Sequence, residues 1–131
     1  MNQESRTDKI KSFTDLKAWQ EGHRLVLDVY KITEQFPKTE QFGLTSQLRR
    51  AVVSVTSNIA EGFSRGSYKE KGQFYTVALG SLTEVQNQLM IAKDVGYITP
   101  EEFQTMGDHT VVINKITNGL IKSSRLLVRD S

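Results

Sequence analysis

Residues 36–62 read FPKTEQFGLTSQLRRAVVSVTSNIAEG, and their spacing predicts a helix with two working faces. Leu44, Leu48, Ala51, Val52, Val55 and Ile59 fall on one side of a helical period and form an apolar stripe. Gln47, Arg50, Ser54, Asn58 and Glu61 recur beside it at steps of three and four. The middle of that second stripe is polar but uncharged, which suits a buried contact better than open water. The helix is therefore expected to bury both faces. Pro37 closes the periodic segment before it, and Gly43 is expected to lend backbone freedom to the loop that leads in.

Working outward, the punctuation marks three more helices. The first is expected from about Asp15 to Gln35, capped by Ser12 or Thr14. It carries Leu16, Trp19, Val26 and Tyr30 on one stripe and Leu25, Val29, Ile32 and Phe36 on a neighbouring one. So wide an apolar arc exceeds what one bundle core requires and asks for a partner surface. The second helix ends near Phe63. Ser67 with Glu70 reads as a capping box opening the third helix, which Gly96 terminates. Thr99 with Glu102 opens a fourth, with Pro100 in the first turn, where a missing N–H costs nothing. There Met106, Ile113 and Leu120 alternate with Thr110, Thr117 and Ser124 along the seam. No Asn-Gly or Asp-Gly hairpin signal competes. Short loops between long helices make sequential neighbours antiparallel. The expected fold is all-α: a single-domain, up-down-up-down antiparallel four-helix bundle over 13–128, with tails at 1–12 and 129–131.

Composition bounds the chemistry. The chain has 131 residues, enough for one real core, and no cysteine, which excludes a disulfide framework, a thiol nucleophile and a Cys-ligated metal. The start lacks a secretory apolar stretch, and no apolar run is long enough to span a bilayer, so a cytoplasmic protein without membrane contact is expected. A net charge of +2, from 17 basic and 15 acidic residues, demands no nucleic-acid partner by itself. A di-iron bundle needs Glu-x-x-His, whereas Gln20 precedes His23 and Met106 precedes His109 at that spacing. Phosphate-loop, zinc-protease and nucleophile-elbow motifs are missing too. Neither enzyme activity nor a metal or other cofactor is expected. His23 reads as a core-edge histidine and His109 as a solvated one.

The hairpin of the second and third helices permits a register. A turn centred near Arg65 sets Gln47 opposite Glu84 and Arg50 opposite Ser81, with Gly80 and Ser81 small enough for close approach. Arg50 and Glu84 then form a pair, within one subunit or between neighbours, or are separately solvated. Asn58 and Glu61 serve as capping and interhelical hydrogen-bond groups, or as ligands for RNA or a partner.

Phe36, Pro37, Glu40, Gly43, Leu44, Ser46, Gln47, Leu48, Arg49, Arg50, Ala51 and Ser54, the NIAEG at Asn58–Gly62 and the GSLTE at Gly80–Glu84 carry a family resemblance. The DLKAW opening of the first helix and the GYIT turn before the fourth extend it over residues 13–127. The chain resembles the four-helix proteins encoded in intervening sequences of bacterial 23S ribosomal RNA genes, also labelled S23-type ribosomal proteins. Val55 and Val77 are small departures. The resemblance implies a subunit that assembles into a ring of five. A related accessory protein of diversity-generating retroelements, similar in fold, binds nucleic acid and a reverse transcriptase. The expected function is a non-catalytic, oligomeric, nucleic-acid-associated bundle holding RNA or DNA by phosphate contacts, with Lys17, Arg24, Arg49, Arg65, Lys69 and Lys71 as candidates. The alternative is a scaffold that recruits another protein, such as a polymerase, without binding nucleic acid itself.

Overall fold

Most of the helix ends are set by hydrogen-bond partners close in sequence. In the computed structural model, which describes residues 10–130, the helices are α1 (Lys17–Thr33), α2 (Leu44–Ser64), α3 (Tyr68–Asp94) and α4 (Pro100–Asp130). No strand occurs among the described residues. The expected tails lie mostly on residues 1–9 and 131, outside the described residues, and α4 continues to Asp130.

Helix α1 begins later than its caps suggest. Ser12 and Asp15 do form a capping box, but it closes on a short 3-10 turn at Phe13–Asp15. Leu16 then swings to an extended ψ of 131°, so α1 starts at Lys17 without a side-chain cap. At the head of α2 the work falls to Glu40, whose carboxylate accepts from the Leu44 N–H at 3.0 Å. Gly43, the residue before α2, has a φ of −114°, so left-handed freedom is not its use. Space is: a Cβ there would stand 2.7 Å from the Glu40 carboxylate. At the end of α3, Gly96 takes a φ of +87°, and the Tyr97 N–H reaches back to the Ala92 carbonyl at 2.8 Å in a Schellman motif. Thr99 and Glu102 form both halves of the expected capping box, at 3.0 and 2.8 Å.

Every helix packs on its sequence neighbours, and α4 closes the bundle against α1. The antiparallel sense is fixed by contacts near to and far from each turn: Gly62 against Tyr75 and Ser54 against Ser81 on α2–α3, Gln86 against Thr110 and Gly72 against Ser124 on α3–α4. Leu25, Leu48, Ile59, Leu82, Leu89 and Ile113 are fully buried at the centre. Each removes about 1.5–3 kcal/mol of apolar exposure. Leu16, Trp19, Val26 and Leu120 line the edge of that core, half-buried.

Unequal helix lengths shape the rest. At 1.5 Å per residue, α4 runs about 46 Å and α1 about 25 Å. Glu21 of α1 stands against His109 of α4, so α1 begins level with the middle of α4 and its last turns have no α1 beside them. This is why Leu127, one heptad beyond Leu120 on the seam, is exposed. Of the broad apolar arc expected on α1, Leu25, Val29 and Phe36 are buried and only Tyr30 is exposed, beside Leu27, which lies outside both of its stripes, and Val53 of α2.

Candidate nucleic-acid interface

The polar stripe of α2 faces α3 one helical turn out of the expected register. Ser54, rather than Arg50, meets Ser81, and their hydroxyls lie 2.7 Å apart. The turn spans Arg65–Ser67 and centres on Gly66, which accounts for only part of the shift; the rest lies in how the two helices pack. Asn58 supports the contact by donating to the Ser54 carbonyl at 2.8 Å and to its hydroxyl at 3.1 Å. Gly80 plays no part in the approach, since a Cβ there would meet nothing. Gln47, Arg50, Ser54, Glu84 and Gln88 line a polar surface cleft of about 270 Å³. Arg50 and Glu84 share that cleft without an ion pair in the subunit, and the buried Gln88 amide oxygen has no partner. Glu61 is drawn away to Arg65, at 2.6 Å.

Most of the candidate cations have work inside the subunit. Arg49 donates from Nε to the Thr33 hydroxyl at 2.8 Å and from Nη2 to the Tyr30 carbonyl at 3.2 Å, and lies over the Tyr30 ring. Arg65 binds Glu61 and covers the Phe74 ring. Lys71 caps the end of α2 by donating to the Phe63 carbonyl at 2.5 Å, and burial holds its ammonium below the usual lysine range. Lys17 and Arg24 both lie 3.6 Å from Glu21, which offsets part of their charge. Lys69 alone of the six makes no such contact among the described residues.

Lys69 lines a cleft of about 650 Å³ between the first turns of α3 and the last turns of α4. Arg125 lines it from α4 and is likewise unpaired. Gly72 and Ile121 contribute apolar surface, and Tyr68 an aromatic ring. Ser124, 5% exposed, also lines the cleft with a hydroxyl that makes no hydrogen bond among the described residues. Sequence reasoning missed Arg125. The signal was the excess length of α4, which carries it to the start of α3.

Two carboxylates tie the bundle together elsewhere. Glu21 meets His109 Nε2 at 2.8 Å, so His109 is an interhelical partner rather than a solvated residue, and this hydrogen bond holds the Glu21 carboxyl below its ordinary range against the cost of burial. Glu40 accepts from the Tyr97 hydroxyl at 2.7 Å as well as from Leu44, and the two bonds depress it while raising the Tyr97 phenol. His23 stacks on Trp19 at 4.6 Å. Near the head of α2, Phe42 is 89% exposed in a surface basin it shares with Tyr30, Arg49 and Arg50. Among the described residues no group of three or more His, Asp or Glu side chains is placed to hold a metal, and no helix is long and apolar enough to cross a membrane.

The comparisons with known proteins agree with this architecture. The family model for 23S rRNA-intervening sequence proteins matches residues 14–119. Among solved structures, the fold is similar to a crystal structure, at 1.70 Å resolution, of a protein of unknown function from the S23 ribosomal protein family of Bacteroides thetaiotaomicron VPI-5482. That likeness has a TM-score of 0.74 at 20% identity and covers 80% of this chain and 98% of the other, which shows a shared fold. No curated protein matches the chain.

Proposed function

The chain belongs to the 23S rRNA-intervening sequence protein family, and from that premise we propose a non-catalytic, cytoplasmic homo-oligomer that holds RNA or DNA by its phosphates. The observation that carries this reading is that Lys69 and Arg125, two cations lining one cleft, are engaged by no acid among the described residues. Such contacts position a backbone without reading bases, so binding is sequence-tolerant. Assembly is supported by the uncovered Leu27, Tyr30 and Val53 and by the unpartnered Gln88 oxygen beside Arg50 and Glu84, groups that a neighbouring subunit would satisfy. The family resemblance favours a ring of five, in which repetition joins the Lys69 and Arg125 sites into a basic band.

Fluorescence anisotropy with mixed-sequence RNA and DNA tests the reading, paired with light scattering on the same sample. An oligomer whose affinity falls steeply as salt rises supports it. An oligomer that binds neither nucleic acid at low salt contradicts it. The second reading, a scaffold that recruits another protein, is favoured by Phe42. An almost bare aromatic ring sharing a basin with Arg50 and Tyr30 has the composition of a protein-binding hot spot. Loss of partner capture on Phe42→Ser, with nucleic-acid affinity unchanged, would favour that reading.

A further inference from the structure

We infer that the α3–α4 cleft takes an unpaired nucleotide, so that the protein prefers single-stranded nucleic acid to duplex; this rests on the nucleic-acid reading above. A duplex keeps its bases stacked inside and offers the cleft only phosphate. Lys69 and Arg125 at the surface would suffice for that, and a cavity of about 650 Å³ between them would stay idle. That volume lies in the range that accommodates small ligands. Its surface is mixed in the way a base is mixed: Gly72 and Ile121 are apolar, the Tyr68 ring is 46% exposed, and Gln73 adds an amide free of other bonds.

Ser124 is the independent pointer. The residue is 95% buried, and its hydroxyl, which makes no hydrogen bond among the described residues, opens on the cleft. Unlike the fully enclosed Thr117 hydroxyl two turns earlier, which also lacks a partner, Ser124 lines a cleft that a ligand can enter. A hydroxyl at a cleft wall with no partner of its own is placed to meet a polar edge that enters. A base entering between Tyr68 and Ile121 brings such an edge, and its phosphates stay outside with the two cations. An acidic peptide could meet the cations but gains nothing from stacking on Tyr68.

The test is anisotropy with a labelled single-stranded oligoribonucleotide and the duplex of the same sequence, at one low salt concentration, using the full chain. The wild type is expected to bind the single strand about tenfold tighter, the worth of one stacked base. Gly72→Met fills the cleft from the α3 side, where a Cβ makes only ordinary contact with the Ser124 Cβ at 3.7 Å, and loses a glycine from a helix interior. It is expected to abolish the preference and keep the residual affinity common to both forms. Ser124→Met fills the same space from α4 and serves if the first variant fails to fold. Equal affinity of the wild type for both forms overturns the inference and leaves the nucleic-acid function standing, as does a preference that survives in a folded cleft-filling variant. Polyglutamate that displaces the strand as well as unlabelled oligonucleotide assigns the cleft to acidic protein and also overturns it. Absence of binding to either form overturns both this inference and the function on which it rests.

Discussion

The hydroxyls of Ser54 and Ser81 meet at 2.7 Å across the α2–α3 hairpin, and that single contact sets the register of the central pair of helices. Ser81 is 6% exposed, so a larger side chain there has nowhere to go without moving α2. Ser81→Leu is expected to destabilise the protein by about 1–3 kcal/mol through overpacking. Ser81→Ala should cost less, about 1 kcal/mol, because Asn58 still donates to the Ser54 hydroxyl. Urea denaturation of both variants checks the order.

Two glycines make opposite predictions. A Cβ on Gly62 would stand 2.7 Å from the ring of Tyr75, which is itself 3% exposed and held by the core, so Gly62→Ala forces the helices apart. A loss of about 1–3 kcal/mol is expected. Gly80 faces open space inside a helix, and Gly80→Ala should gain roughly 0.5–1 kcal/mol from helix propensity. Thermal melts in which both variants shift the same way would refute this assignment.

Those residues also show what was legible in the sequence. The apolar period, the N-cap at Ser67, which forms only one half of the expected box, the full capping box at Thr99 and the Gly96 stop are local, and they were enough for four antiparallel helices in one bundle. The start of α1 was misjudged because Ser12 caps a turn that Leu16 breaks, a backbone choice no propensity scale marks. The α2–α3 register differs because it depends on how the two helices roll and cross as well as on the residues the turn consumes. Basic residues were visible as charges, but their partners were not. Lys71 and Arg49 find carbonyl and hydroxyl acceptors that only the folded hairpins bring within reach.

Lys69 and Lys71 are therefore expected to separate. Lys71→Met removes the cap on the Phe63 carbonyl and should lower stability by about 0.5–1 kcal/mol, with little direct effect on nucleic-acid affinity. Lys69→Met should leave the melting temperature unchanged and weaken binding to every sequence about equally. Equal loss of affinity in both variants, with both still folded, would return Lys71 to the interface.

Acid should loosen the bundle at two identified places. Glu21 and Glu40 both have carboxyls depressed from an ordinary value of 4.5 by hydrogen bonds that favour the charged form. The unfolded chain therefore takes up protons at these sites first, so their contribution is complete above about pH 4.5 and is lost as pH falls through the lower folded values. Glu40→Gln and Glu21→Gln should each flatten the decline in stability below pH 4.5 compared with the wild type. Unchanged acid profiles would remove these carboxylates from the account.

The nucleic-acid reading depends most directly on the two unpaired cations, and the slope of affinity against salt measures them. For the wild-type oligomer, log affinity against log salt should fall linearly, and the Lys69→Gln, Arg125→Gln double variant should reduce the steepness by roughly two contacts per subunit engaged. Both substitutions lie on exposed positions without partners, so fold and assembly should persist. A double variant that remains oligomeric and keeps the wild-type slope and affinity for RNA and DNA would contradict the assignment of the α3–α4 cleft as the place where phosphate is held.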